Sequence, residues 1–197
     1  MPRNVAVNLH RRHMENNFIQ QRGHYRELIV YQKAECIYDI TFYFAHKYLD
    51  KADRTIDQMI QAARSGKQNI AEGSAASSTS RETELKLTNV AKASLQELLI
   101  DYEDYLRVRN LELWNVNSSK AEQTRMACRK HNDSAYFRKA IAVRSDETIA
   151  NIAITLIHQT DSLLRKLIDH LKAEFLTHGG IKEEMYAARK EWRRQNQ

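Results

Sequence analysis

Ser145-Asp146-Glu147-Thr148-Ile149-Ala150-Asn151-Ile152-Ala153-Ile154-Thr155-Leu156-Ile157 opens the stretch that decides the fold. Ser145 is a helix N-cap residue, and Asp146 and Glu147 place negative charge against the positive end of the helix dipole. From there Ile149, Ile152, Ala153, Leu156, Ile157, Leu163, Leu164, Leu167, Ile168, Leu171 and Phe175 recur at three- and four-residue steps. That period is the signature of a helix with one face in a core. Gly179-Gly180 ends it, so the spacing predicts a helix over 146–177.

Three further long helices read outward from this one. The first is expected over 24–49, with Leu28, Tyr31, Gln32, Ile37, Tyr38, Phe42 and Leu49 as its apolar positions. Asp53 is the N-cap expected for a second over 53–73, where Ile56, Met59, Ile60, Ala63 and Ile70 form the stripe and Gly73 is the stop. The pair Thr79 and Glu82 reads as a capping box opening a third over 80–109. This helix carries two stripes: Leu87, Ala91, Ser94, Leu98 and Tyr105 on one side, Leu85, Leu95, Leu99, Tyr102 and Leu106 on the other. Either one face meets a partner subunit, or the helix is central and covered on both sides.

Residues 110–145 break the pattern and read as a helical insertion. Ser119 with Glu122 makes a second capping box for a short helix to about His131, and another short helix follows through Ala142. A terminal amphipathic helix, about 181–194, carries Met185, Tyr186 and Trp192. Pro2 is the chain's only proline, and proline is the strongest helix breaker, so long helices run uninterrupted after it. The expectation is an all-α protein: an antiparallel four-helix bundle spanning 24–177, a basic leader over 1–23 and an appendage over 178–197. One domain is the simplest count.

Composition narrows the function. Two cysteines, Cys36 and Cys128, stand alone in helical segments, which predicts neither a disulfide framework nor a CxxC metal site and fits a reducing cytoplasm. The leader lacks the apolar run of a secretory signal. The aromatic stretch from Ile37 to Leu49 is too short and too polar to span a bilayer. Enzyme motifs are missing: no HExxH, no GxSxG, and no glutamate followed by histidine three residues on, as inward-facing di-metal sites in bundles require. His10 and His13 have a metal-compatible spacing without cysteines or paired carboxylates beside them, and Glu35 with Asp39 is too common a pairing to propose acid–base work. No catalytic residue, cofactor or metal is expected.

The net charge of +6 favours an anionic partner, and the excess is concentrated. Residues 120–144 hold seven Lys or Arg against Glu122 and Asp133, whereas 97–104 is acidic. Phosphate contact needs only cations at workable spacing, so the candidate nucleic-acid-binding residues are Arg125, Arg129, Lys130, Arg138, Lys139, Arg189, Lys190, Arg193 and Arg194. A solvated charged surface is the plain alternative.

The most unusual string is Ala62-Ala63-Arg64-Ser65-Gly66-Lys67-Gln68-Asn69-Ile70-Ala71-Glu72-Gly73. Its small residues let another backbone approach closely. Asn69 and Glu72, one turn apart, are placed to lock against Ser94 or Glu97 of the next helix. A buried polar network fixing helix register is the expected role, with a ligand site as the alternative.

With Gln58-Met59-Ile60-Gln61 before it, this string resembles the hallmark of the four-helix-bundle proteins encoded in intervening sequences of bacterial large-subunit ribosomal RNA genes. Leu28-Ile29-Val30-Tyr31-Gln32-Lys33-Ala34 is similar to that family's first-helix opening, and Ala91-Lys92-Ala93-Ser94-Leu95-Gln96-Glu97-Leu98 to its third helix. The tail, Gly179-Gly180-Ile181 and Met185-Tyr186-Ala187-Ala188-Arg189, resembles the four-helix-bundle suffix-domain variant. The resemblance implies a bacterial, cytoplasmic, non-enzymatic protein that assembles as a ring-shaped homopentamer. It also implies kinship with the accessory variability determinants of diversity-generating retroelements, which bind nucleic acid and partner a reverse transcriptase. The leader, the 110–145 insertion, the C-terminal helix and Gly66, where shorter members often carry a larger aliphatic residue, depart from the family pattern. A protein–protein scaffold is the competing function, and an enzyme with its site in the bundle core ranks third.

Overall fold

The computed structural model describes residues 24–196, and all regular structure among them is helical. Seven α-helices run in chain order: α1 Ile29–Tyr48, α2 Thr55–Ala76, α3 Arg81–Val108, α4 Ser119–Lys130, α5 Ser134–Ile141, α6 Asp146–His178 and α7 Ile181–Gln195. One 3-10 turn, Tyr25–Glu27, precedes α1. The long helices pack in a ring in which α1 touches α2 and α6, and α3 touches α2 and α6. The two short helices lie outside that ring, α4 against α6 and α5 against α1.

Periodicity produced the core nearly as written. Ile149, Ala153, Leu156, Ile157 and Leu164 of α6 are fully buried, and they face Ile37, Phe44, Met59, Ala63, Leu95, Leu98 and Tyr102, which are fully buried too. Both stripes of α3 are covered inside the one chain: Ala91, Ser94, Leu98 and Tyr105 on one side, Leu95, Leu99, Tyr102 and Leu106 on the other. The helix is central, while Leu85 and Leu87 at its start are half-buried and Val90, Ile100 and Val108 stay exposed.

Several boundaries differ from expectation, each for a local reason. The first helix begins at Ile29, five residues late, because 25–27 takes the tighter turn. Gly73 does not end α2. It is buried mid-helix, where an added Cβ would lie 3.4 Å from the Glu84 carbonyl oxygen and from Leu87 Cβ, so its lack of a side chain serves the approach of α3. The N-cap of α3 is Ser80, whose Oγ accepts from the Thr83 amide at 3.1 Å, while Thr79 bonds back to the Ala76 carbonyl. Ser118 rather than Ser119 caps α4, accepting from Ala121 N at 3.3 Å. Ser145 caps α6 as expected, and Gly179 closes it at φ 70°, a conformation open chiefly to glycine.

In α1 the expected apolar positions are partly wrong. Phe42 is 48% exposed and Tyr38 only half-buried, whereas Tyr31, Ile37 and Leu49 are buried as expected, and Val30, Ala34, Thr41, Phe44 and Ala45 complete the core side. The extra rings go to the surface, where the candidate site lies.

Candidate nucleic-acid interface

Two N-caps and a set of cross-contacts to α1 and α6 hold the insertion on its own chain. Asp133 Oδ1 accepts from Tyr136 N at 2.8 Å and starts α5, as Ser118 starts α4. The insertion then runs along α1. Lys33 donates its ammonium to the Cys128 carbonyl, Asp39 accepts from the Ser134 hydroxyl and pairs with Arg138 at 3.3 Å, and Tyr48 donates to the Arg144 carbonyl at 3.0 Å. Phe137 and Ile141 fill the space beneath α5. Burial lowers the Lys33 pKa from its ordinary value, and it pushes the thiols of Cys36 and Cys128 up to about 12. Both thiols therefore stay protonated near neutrality and are poor nucleophiles.

The nine basic candidates fall in three places. Arg125 and Arg129 of α4 come together, lining a groove of about 820 Å³ against α6 with Lys33 and Lys166. Arg125 also donates to the Val116 carbonyl at 2.5 Å, and its own carbonyl accepts from Gln159 at 3.0 Å. Arg138 and Lys139 ride on α5, with Arg138 partly neutralised by Asp39. Arg129, Lys130 and Lys139 are exposed and make no ion pair among the described residues. Arg189, Lys190, Arg193 and Arg194 sit on α7, where Arg194 pairs with Glu191 at 2.9 Å. Nothing in the described contacts joins that last set to the insertion.

The expected polar lock forms in part. Ser65 and Ser94 share a hydrogen bond at 2.9 Å between α2 and α3, and Asn69 donates to the Ser65 carbonyl at 2.9 Å and to its hydroxyl at 3.1 Å. Ala63 is buried beside it. Arg64, Glu72 and Glu97 are exposed and make no hydrogen bond to Ser65, Asn69 or Ser94, Glu97 lying instead at the open rim of the α2–α3 seam. A polar groove over the seam is acidic, lined by Asp57, Glu97 and Asp101, and burial followed by repulsion from Asp104 and Glu97 raises the Asp101 pKa. Phosphate is repelled from that side of the molecule.

Sequence reasoning missed the surface rings of α1. Tyr38, Phe42, Tyr43, His46 and Lys47, with Arg138 and Ile141 of α5, line a groove of about 660 Å³. The Phe42 ring lies 6.3 Å from Tyr38 and 4.3 Å from His46. Lys67 of α2 sets its ammonium 4.2 Å from the centre of the Tyr38 ring, and Lys47 reaches the Tyr43 hydroxyl at 2.6 Å. The usable signal was the polar set Asp39, His46 and Lys47 on the same turns, which no core face accommodates.

Among the described residues, no three His, Cys, Asp or Glu side chains group to hold a metal ion. His10 and His13 lie outside the described residues, as does the basic leader. No described helix is long and apolar enough to cross a membrane. No family model, no curated protein and no solved structure matches the chain.

Proposed function

We propose that the chain is a non-enzymatic nucleic-acid-binding protein, an antiparallel four-helix bundle whose helical insertion carries the binding surface. The ring of contacts among α1, α2, α3 and α6 supports the bundle reading. So do two ties across opposite ends of α3 and α6: Tyr105 to Asp146 at 2.8 Å and Arg81 to the Gly179 carbonyl at 3.0 Å. The observation that carries the function is the state of the insertion's cations. Arg129, Lys130 and Lys139 are exposed and have no carboxylate partner among the described residues, so phosphate contact there displaces only counterions. A nucleic-acid enzyme acting with this chain as accessory, as the family resemblance implies, is the natural setting.

The test reverses three charges. An Arg129→Glu, Lys130→Glu, Lys139→Glu variant keeps the fold, since all three side chains are exposed. Its affinity for a labelled RNA hairpin at about 50 mM salt falls roughly tenfold or more. Unchanged affinity with unchanged helicity by circular dichroism contradicts the assignment.

A protein scaffold is the second reading, and α7 is the observation in its favour. Met185, Tyr186 and Trp192 are 57%, 73% and 55% exposed on an otherwise charged helix. The homo-oligomer that the resemblance implies would find an apolar surface there.

A further inference from the structure

We infer that the groove between α1 and α5 takes unpaired nucleotides of a single strand, stacking a base on Phe42 while Lys47, Lys67 and Arg138 contact the phosphates. This rests on the nucleic-acid reading above and specifies its ligand. Phe42 is a large ring left 48% exposed in a chain that buries its other phenylalanines on α1 and α5, Phe44 and Phe137, to 0% and 2%. Half-exposed rings next to cations are the two components of single-strand sites, because every base offers a π-face and every linkage a charge.

The exposed ring face selects the strand form. Tyr38, Phe42 and His46 are four residues apart, so they line one face of α1 with a rise of about 6 Å from each to the next. Bases in a duplex stack at about 3.4 Å per step along each strand and show the protein only their edges. The rings themselves are closer and uneven, Phe42 standing 6.3 Å from Tyr38 and 4.3 Å from His46, so a base stacks on the exposed face of Phe42 and not between the rings, and a duplex cannot offer its base faces to it. His46 helps hold the row, since its Nδ1 lies 2.8 Å from the Phe42 carbonyl oxygen. That oxygen can only accept, so Nδ1 carries the proton.

Charge sits on both flanks. Lys67 approaches from α2 and Arg138 from α5, with Lys47 one position beyond His46. Asp39 is the one carboxylate lining the groove, and it is engaged by Ser134 and Arg138. The volume of about 660 Å³ suits a nucleotide or two rather than a helix of nucleic acid.

Fluorescence anisotropy with a labelled oligo(U) strand, an oligo(dT) strand and a blunt DNA duplex tests this on the full chain. The wild type is expected to bind the single strands in preference to the duplex. Phe42→Ala weakens single-strand binding by roughly 5- to 100-fold, the range for loss of one stacked base, and leaves the duplex unchanged. Phe42→Tyr, which keeps the ring, retains affinity; because Phe42 is half outside the core, neither variant threatens folding. If Phe42→Ala binds single strands as wild type does while the insertion charge reversals weaken them, stacking is refuted and the nucleic-acid reading stands. If the wild type binds none of the three probes at low salt, the nucleic-acid reading itself fails.

Discussion

Phe44→Ala is expected to destabilise the fold by roughly 3–5 kcal/mol, the loss seen when a buried aromatic is truncated and its cavity persists. Phe44 is fully buried at the meeting point of three tyrosine rings, 4.7 Å from Tyr105, 5.1 Å from Tyr102 and 5.5 Å from Tyr48. Each tyrosine is tied elsewhere by its hydroxyl: Tyr102 donates to Thr41 at 3.0 Å, Tyr105 to Asp146, and Tyr48 to the Arg144 carbonyl. The cluster therefore joins α1, α3, the start of α6 and the end of the insertion. With hydroxyls anchored on three sides the rings cannot collapse into the gap, which places the loss toward the upper part of the range. Urea denaturation followed by circular dichroism checks it. With a slope of about 1–3 kcal/mol per M, the midpoint falls by at least about 1 M. A loss below about 1 kcal/mol means that the cluster repacks freely and does not join these elements.

Gly66→Ala should also destabilise, although alanine is the better helix former by about 0.5–1 kcal/mol. An added Cβ would stand 2.7 Å from Leu95 Cδ2 and 2.9 Å from its Cγ, with the Ala91 carbonyl oxygen at 3.7 Å. Leu95 is fully buried, so it must shift against packed neighbours, and overpacking at about 1–3 kcal/mol outweighs the propensity gain. Gly66→Leu is worse, because the whole side chain must enter the α2–α3 seam. The control is a double-mutant cycle. Leu95→Ala alone costs about 2–5 kcal/mol, and the double variant costs less than the sum by about 0.5–3 kcal/mol, since the new methyl occupies space that Leu95 vacated. Additivity within a few tenths shows instead that the two positions do not press on each other.

How much of this was legible in the sequence depended on whether the signal was periodic. The helix over 146–177 was read within one residue of its observed end at His178, because its stripe is long and its Ser145 cap and Gly179 stop are unambiguous. Gly73 was misread because glycine marks either a left-handed cap or a close helix contact, and only the position of Glu84 and Leu87 across the seam decides between them. Ser80 and Thr79 compete as caps one residue apart, and the backbone at Ser80, extended at φ −159°, settles it. Phe42 was assigned to the core because rings at three- and four-residue steps look alike whether a neighbouring helix covers them or not. The docking of 110–145 along α1 depends on contacts such as Lys33 with Cys128, 95 residues apart, which no local pattern encodes. Its basic charge, by contrast, was plain from composition. The groove between α1 and α5 was legible only in Arg138; its rings and the flanking Lys47 and Lys67 were not read from the sequence.

The most direct test of the central claim is the affinity of the full chain for a labelled single strand measured across a salt series from about 50 to 200 mM. With at least three unpaired insertion cations contacting phosphates, log affinity should fall linearly against log salt with a slope of roughly −2 or steeper. Binding that is flat with salt, or no binding at the lowest salt, contradicts it and leaves the cations of α4 and α5 as a solvated surface.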